Sequence, residues 1–253
     1  MAGRVIAGAE PVAPLKLELR AGRPIVNNVY INGHGPYRFL VDTGATTNVM
    51  DRTLARSIGL RSTFQTRMTS STSTVPASGA DGVELRVGPI TVERQPLLLT
   101  NADALHAIGR DINGVLGQTF LSRFDYLLDL RHQILALGVE SGGRKGTRLP
   151  FETLDGRPVI TTSLGSLIVD SGAHMLIRFR MTGSIADTTV ITATGSVMVG
   201  TVFSALVIDG HPYWAGNALA LPESPETGAD GILPVATFKS VYVSNSARYL
   251  ILE

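Results

Sequence analysis

The chain has 253 residues, of which 44% are hydrophobic and 17% charged, as expected for a soluble globular protein of one large or two small domains. With 22 basic and 21 acidic side chains the net charge is +1, so no basic field is present to attract a nucleic acid or an anionic membrane. The chain contains no cysteine, which excludes disulfides, thiolate catalysis and cysteine-ligated metals.

The predicted elements are mostly strands, because short runs of Val, Ile, Leu and Thr alternate with 27 glycines and 13 prolines. The N-terminal stretch lacks an apolar core of signal-peptide length, and no window approaches a membrane span. We expect a tail at residues 1–14 and a first strand at "LKLELR", 15–20. The one convincing short helix is "DRTLARSIGL", 51–60, and strand-like runs follow on both sides of Pro89.

One carboxylate follows an apolar strand in "FLVDTGATTNVM", residues 39–50. Burying a lone charge is expensive, so Asp42 must be paired, shared or used. Taken alone, Asp42 would be interpreted as an ordinary turn aspartate. The same form occurs again in "LIVDSGAHMLIRF", 167–179, around Asp170.

Four further pairs of segments repeat in the same order in the two halves. They are "AGRPIV" and "DGRPVI", "TSTV" and "TGSV", "INGVLGQTFL" and "ADGILPVATF", and the closing segments "HQILAL" and "RYLIL". We infer an internal duplication, with an N-terminal lobe at 15–140, a linker "SGGRKG" at 141–146 and a C-terminal lobe at 147–253.

Two copies of one β-rich unit predict a pseudo-twofold axis, on which Asp42 and Asp170 would meet in the cleft between the lobes. Two adjacent carboxylates cannot both ionise cheaply, so they share one proton. Such a pair can hold a water molecule, take a proton from it and donate another to a carbonyl oxygen. This arrangement predicts hydrolysis of an amide without a covalent intermediate.

The motifs "DTGA" (42–45) and "DSGA" (170–173), with "GVLG" (114–117) and "GILP" (231–234), closely resemble those of the aspartic peptidases over nearly the whole chain. The resemblance implies an all-β bilobal fold, an aspartic endopeptidase activity and no metal or organic cofactor. Ala45 and Ala173 are similar to the retroviral-type branch, where pepsin-like enzymes have a hydroxyl residue. The best description is a tandem pair of retropepsin-like lobes acting as a monomeric pseudodimer.

The resemblance also assigns roles to individual residues. Asp42 and Asp170 would be the catalytic pair. The loop-support residues would be Thr43, Gly44, Ser171 and Gly172. The packing glycines of the second element would be Gly114, Gly117 and Gly231, with Pro234 departing from the pattern. The flap tips over the cleft would be Thr72, Ser73, Thr194 and Gly195.

The expected partner is an extended peptide or unfolded protein substrate whose apolar side chains fill subsites under the flaps. We expect a mildly acidic pH optimum, because alanine at 45 and 173 removes a donor that could stabilise the ionised pair. The five histidines show no metal-ligand spacing, so no metal is expected. The cytoplasm is the default location, with a trimmed secreted or periplasmic enzyme as the alternative.

Two other functions compete with this interpretation. "DTGATTNV" also fits the phosphate-binding turn of actin/Hsp70-type nucleotide folds, in which Asp42 would hold Mg²⁺. The second copy lacks the threonine, the chain is short for that fold and few helices are predicted. A catalytically degenerate peptide-binding module of the aspartic peptidase fold is the other alternative, and Pro234 is its only support.

Overall fold

The computed structural model of the chain describes residues 5–6, 13–184, 188–224 and 228–253. The strands of the first half are β1 (Val5–Ile6), β2 (Leu15–Arg20), β3 (Arg23–Ile31), β4 (His34–Val41), β5 (Asn48–Asp51), β6 (Phe64–Thr69), β7 (Thr74–Val87), β8 (Ile90–Thr100), β9 (Gly114–Leu116), β10 (Tyr126–Asp129) and β11 (Ile134–Leu137). Those of the second half are β12 (Thr147–Pro150), β13 (Glu152–Leu154), β14 (Arg157–Thr162), β15 (Gly165–Asp170), β16 (Ile177–Phe179), β17 (Thr188–Thr192), β18 (Gly195–Ile208), β19 (His211–Leu221), β20 (Gly231–Pro234), β21 (Ser240–Ser244) and β22 (Tyr249–Leu252).

The described helices are short: α1 (Arg52–Ser57), α2 (Asp103–Ile108), α3 (Gln118–Leu121) and a 3₁₀ turn at Val235–Thr237. None of the described helices is long and apolar enough to cross a membrane. The predicted helix at 51–60 is real but shorter, because Asp51 caps it by accepting the Thr53 amide (2.9 Å). Helices α2 and α3 were not predicted, since four to six residues are too few to show a helical period.

Each half folds into a lobe with the same order of strand pairings. In the first lobe β4 runs parallel to β9, β5 runs parallel to β8, and β5 and β9 are antiparallel neighbours. In the second lobe the pairs β15 and β20, β16 and β19, and β16 and β20 repeat this pattern. The two motif aspartates therefore come at equivalent strand ends. The predicted all-β, two-lobe fold is confirmed.

The repeated "GRP" segments form equivalent hairpin turns. Ala21 and Gly22 join β2 to β3 with φ angles of 49° and 77°, and Asp155 and Gly156 join β13 to β14 with φ angles of 51° and 84°. Two successive positive φ angles are the conformation of the two-residue turn that matches the twist of antiparallel strands. Each turn brings the following arginine, Arg23 or Arg157, to the start of the next strand.

The two lobes share one sheet, in which the strands follow the order β12, β22, β21, β10, β11 and β2. Within this sheet the two halves meet at the antiparallel pair of β10 and β21, with Tyr126 opposite Val243 and Leu128 opposite Val241. The loop at residues 138–146 joins β11 to β12 and contains the predicted linker. Of the predicted tail, Val5–Ile6 pair with β8, and residues 1–4 and 7–12 lie outside the described residues.

Candidate active site

The two predicted carboxylates lie together between the lobes. Asp42 directly follows β4, where its amide donates to the Leu116 carbonyl (3.0 Å), and Asp170 is the last residue of β15. The Asp42 and Asp170 carboxyl groups are hydrogen-bonded to each other, and both residues remain partly exposed. The sequence left open how the charge of Asp42 can be accommodated beside a core. Asp42 shares that charge with Asp170 across the interface between the lobes.

Both carboxyl groups accept backbone amides of their own loops. Gly44 donates to Asp42 Oδ1 (2.9 Å), while Gly172 and Ala173 donate to Asp170 Oδ1 (2.6 and 3.0 Å). A Cβ atom at Gly172 would lie 2.5 Å from Asp42 Oδ2, and one at Gly44 would overlap the Asp170 carboxyl group. Glycine is required at both positions because the opposite carboxyl group touches the backbone, and neither has a positive φ.

The hydroxyl residues after the two aspartates brace one loop against the other. Thr43 Oγ1 donates to the Val169 carbonyl (2.7 Å), and Ser171 Oγ donates to the Val41 carbonyl (2.7 Å). Each hydroxyl also accepts the other residue's amide, at 3.0 Å in both directions. Thr43 and Ser171 are each 1% exposed, so these four bonds form a buried and nearly symmetric bridge beneath the carboxyl pair.

The electrostatics of the pair are unequal. Burial raises the pKa of Asp42 well above its usual range, and the charge of Asp170 raises it further. Burial also raises the pKa of Asp170, but its hydrogen bond with Asp42, the amides of Gly172 and Ala173 and the charge of Arg157 oppose that rise. Two amides donate to the Asp170 carboxyl group and one to that of Asp42, so the hydrogen-bond geometry stabilises the carboxylate form better at Asp170.

The first glycine of each second-element motif is set by close packing. A Cβ atom at Gly114 would overlap the carbonyl oxygen of Val49, and one at Gly231 would overlap that of Ile177. Val49 lies on β5 and Ile177 on β16, so the two contacts are equivalent in the two lobes. Side chains at either position would push β9 or β20 away from its neighbour.

Pro234 takes the place of Gly117 without leaving a polar group unpaired. In the first lobe the Gly117 amide donates to Asn48 Oδ1 (3.0 Å), and Asn48 is fully buried. In the second lobe Pro234 lies beside Asp170 in the parallel ladder and has no amide to satisfy. Leu176, six residues after Asp170 as Asn48 is after Asp42, is buried there. Two buried apolar residues thus occupy the positions that a hydrogen-bonded pair occupies in the first lobe.

The predicted flap residues lie at the tips of two hairpins. Thr72 and Ser73 lie in the connection between β6 and β7, Thr194 lies in the turn between β17 and β18, and Gly195 is the first residue of β18. Gly195 has a φ of 145°, which favours glycine at this turn.

The two tips are joined by hydroxyl groups. The Thr194 hydroxyl contacts those of Ser70 (2.5 Å) and Ser73 (2.6 Å), and the Thr72 hydroxyl contacts that of Thr192 (3.0 Å). Sequence reasoning did not single out Ser70 or Thr192, although both belong to Ser/Thr-rich segments. The hydroxyl-bonded tips close over a cleft of about 780 Å³ that contains both aspartates.

The cleft has an apolar wall on each side of the aspartates. The apolar residues of the first-lobe wall are Leu40, Val49, Leu98, Leu105, Ile108 and Val115. The apolar residues of the second-lobe wall are Ile168, Met175, Ile177, Val190, Leu219 and Ile232. The sequence predicted apolar cleft walls near the aspartates, and the lining agrees with this.

Two arginines near the aspartates were missed as functional candidates. Arg23 Nε donates to the Gly172 carbonyl (2.7 Å), and its Nη2 contacts His174 Nδ1 (2.5 Å), so a first-lobe cation holds the second-lobe loop. Burial lowers the pKa of His174, and the charge of Arg23 lowers it further. The equivalent Arg157 is buried and acts on Asp170 through its charge. The sequence signal that could have identified both arginines was the repeated segment "GRP", which contains them.

No group of three or more metal-ligating side chains occurs in the part of the chain that the structure describes. The nucleotide-binding alternative is wrong, because the fold is nearly all β and lacks the mixed helix and sheet layers of that class. The Asp42 loop also faces a second carboxylate, which would repel a phosphate.

A nearly all-β fold of two lobes, with an Asp-Thr-Gly loop and an Asp-Ser-Gly loop meeting between them, is consistent with the bilobal retropepsin-like fold. Residues 27–120 match the profile of the family described as aspartyl protease. This match lies within the first lobe, around Asp42, and supports a relation to the aspartic peptidases.

Among solved structures, the chain is similar to a retropepsin-like aspartic protease from Rickettsia conorii, with 19% identity and a TM-score of 0.38. That alignment covers 53% of this chain and 93% of the other. No curated protein sequence matches the chain.

Proposed function

We propose that the chain is an aspartic endopeptidase that cuts extended polypeptides with a water molecule held between Asp42 and Asp170. The observation that carries this proposal is the hydrogen-bonded carboxyl pair, contributed by both lobes and open to a cleft with apolar walls. A carboxylate and a carboxylic acid in contact can act as base and acid in one step.

The unequal electrostatics assign the two roles. The Asp170 carboxylate takes a proton from water as the water oxygen attacks the scissile carbonyl carbon. Asp42 gives its proton to the carbonyl oxygen, which forms a neutral tetrahedral diol. As the C–N bond breaks, Asp170 passes its proton to the leaving nitrogen and one diol hydroxyl returns a proton to Asp42. The products are a carboxylic acid and an amine, and the enzyme again holds one proton shared by the two aspartates.

We expect a mildly acidic optimum, since exactly one member of the pair must be protonated. Ala45 and Ala173 carry no hydroxyl that could stabilise the doubly ionised state. The tandem arrangement of two retropepsin-like lobes supports a gene duplication and activity as a monomer, because one chain supplies both aspartates.

A fluorogenic peptide-library assay tests the activity from pH 3 to 8, with and without pepstatin. Cleavage should be inhibited by pepstatin and should fall by at least about 100-fold in Asp42→Asn and in Asp170→Asn, since each removes one proton-transfer group. The exposed Asp81→Asn is the matched control and should keep full activity.

An absence of cleavage at every pH, together with peptide binding, would establish the non-catalytic peptide-binding module instead. Pro234 was the sequence argument for that alternative. The structure weakens the argument, because proline has no amide that would need the partner that Asn48 gives to Gly117 in the first lobe.

A further inference from the structure

A second concave surface lies outside the cleft and collects three arginines. It has a volume of about 700 Å³ and is lined by α1, the loop after α1, and the outer part of the first flap hairpin. Its cations are Arg52, Arg56 and Arg61, and no aspartate or glutamate lines it. We call these three residues the arginine cluster.

The arginine cluster has no counter-charge. Among the described residues, none of its three guanidinium groups forms an ion pair, although arginines elsewhere do, such as Arg20 with Asp111 and Arg180 with Asp230. Arg52 and Arg56 are four residues apart on α1, where like charges face each other and destabilise a helix. A bound anion would remove this repulsion.

One member of the arginine cluster is held in place. Arg52 Nη2 donates to the Leu99 carbonyl (2.9 Å), and its Nε is buried without a hydrogen-bond partner. A buried, unpaired donor on a charged group is costly, so a partner at this position would stabilise the protein. Arg56 and Arg61 are exposed and can approach the same ligand from the rim.

The remaining lining can orient a ligand on the flap side. The Gln65 side chain lies on β6 and is exposed, and Ser78 lies opposite it on β7. The Ser62 hydroxyl is bonded to the Phe64 and Gly79 carbonyls, which ties the loop after α1 to the flap hairpin. The donors of this surface therefore come from two elements that the loop holds together.

We propose that the arginine cluster is an oxyanion-binding site that takes a carboxylate or phosphate group. Guanidinium groups present planar pairs of donors that match both groups. The group can belong to a free anion or to an acidic stretch of a polypeptide. The site is separate from the aspartate pair and does not depend on the proposed proteolysis.

Titration calorimetry at constant ionic strength tests the site, with inorganic phosphate in one arm and a penta-glutamate peptide in the other. Saturable binding in either arm is expected, and the arm that binds identifies the source. Arg52→Gln/Arg61→Gln should weaken Kd at least tenfold, and the exposed Arg131→Gln, which removes a charge outside the cluster, is the control; it matches the single variant Arg56→Gln in charge.

The single variant Arg56→Gln should also weaken binding. It keeps the test valid if the double variant misfolds, because the Arg56 side chain is exposed and makes no bond that the fold needs. No saturable binding in both arms would overturn the proposal. Equal affinity of the cluster variants and Arg131→Gln would overturn it as well, because the binding would then be unspecific attraction.

Discussion

At the scale of single residues, the proton on Asp42 links stability to pH. Its folded-state pKa lies above the unfolded value of about 3.9. The stability that this group contributes is therefore complete below pH 3.9 and is lost as the pH rises through the folded pKa. The melting temperature should decline over that range in the wild type and decline less in Asp42→Asn. Parallel profiles from pH 3 to 8 would contradict this linkage.

The buried bridge beneath the pair gives a second prediction for single residues. Ser171→Ala removes the acceptor of the Thr43 amide and the donor to the Val41 carbonyl. Each buried group left unpaired costs about 1–3 kcal/mol, so the urea midpoint should fall clearly. Ser171→Thr keeps the hydroxyl and mimics Thr43 in the other lobe, so it should retain most of the stability. Equal midpoints for the two variants would refute the role of the bridge.

At the scale of elements, the hydroxyl contacts join the two flap hairpins. Thr194→Val removes the hydroxyl that Ser70 and Ser73 share. Hydrogen exchange at the amides of residues 70–73 should accelerate, because the tips lose their mutual contact. Global stability should change by no more than about 0.5 kcal/mol, since the tips are partly exposed. Thr66→Val, on the exposed part of β6, is the control and should leave exchange at the tips unchanged.

Whether a feature could be predicted depended on how far apart in the sequence its contacting residues lie. The aspartate loops and hairpin tips were found because a local motif occurs twice. The replacement of Asn48 and Gly117 by Leu176 and Pro234 in the second lobe was not found, since the bond between Asn48 and Gly117 joins residues 69 positions apart. Arg23 was noticed only as part of a repeated segment. Its contact with His174 crosses the interface between the lobes, and a local sequence pattern contains no information on such a contact.

At the scale of the whole molecule, the shared sheet makes each half dependent on the other. Fragments 1–143 and 144–253 each carry one aspartate, and each exposes the apolar edge that β10 or β21 buries in the intact chain. Neither fragment alone should cleave peptides. Co-expressed fragments should reassemble through this edge and recover activity, which size-exclusion chromatography and the peptide assay can follow together. Activity of a fragment as a monomer would contradict the shared site.

The repeat predicted two lobes but not which of their strands join them. The predicted linker lies between β11 and β12, yet β12, β22 and β21 of the second half continue the sheet of the first half, which they join where β21 pairs with β10. Such pairings join residues more than 100 positions apart, such as Tyr126 with Val243. Alternation along one strand indicates which side is buried and carries no information on which distant strand lies beside it.

The hydroxyl-bonded flap tips bear on how a substrate enters. Bonds between serine and threonine hydroxyls can be exchanged for bonds to solvent at little net cost. The two flap tips over the aspartates can therefore separate without exposing a large apolar surface of their own. For the endopeptidase activity proposed above, this means that a long polypeptide can enter the open cleft sideways and be cut at an interior position, without a free chain end.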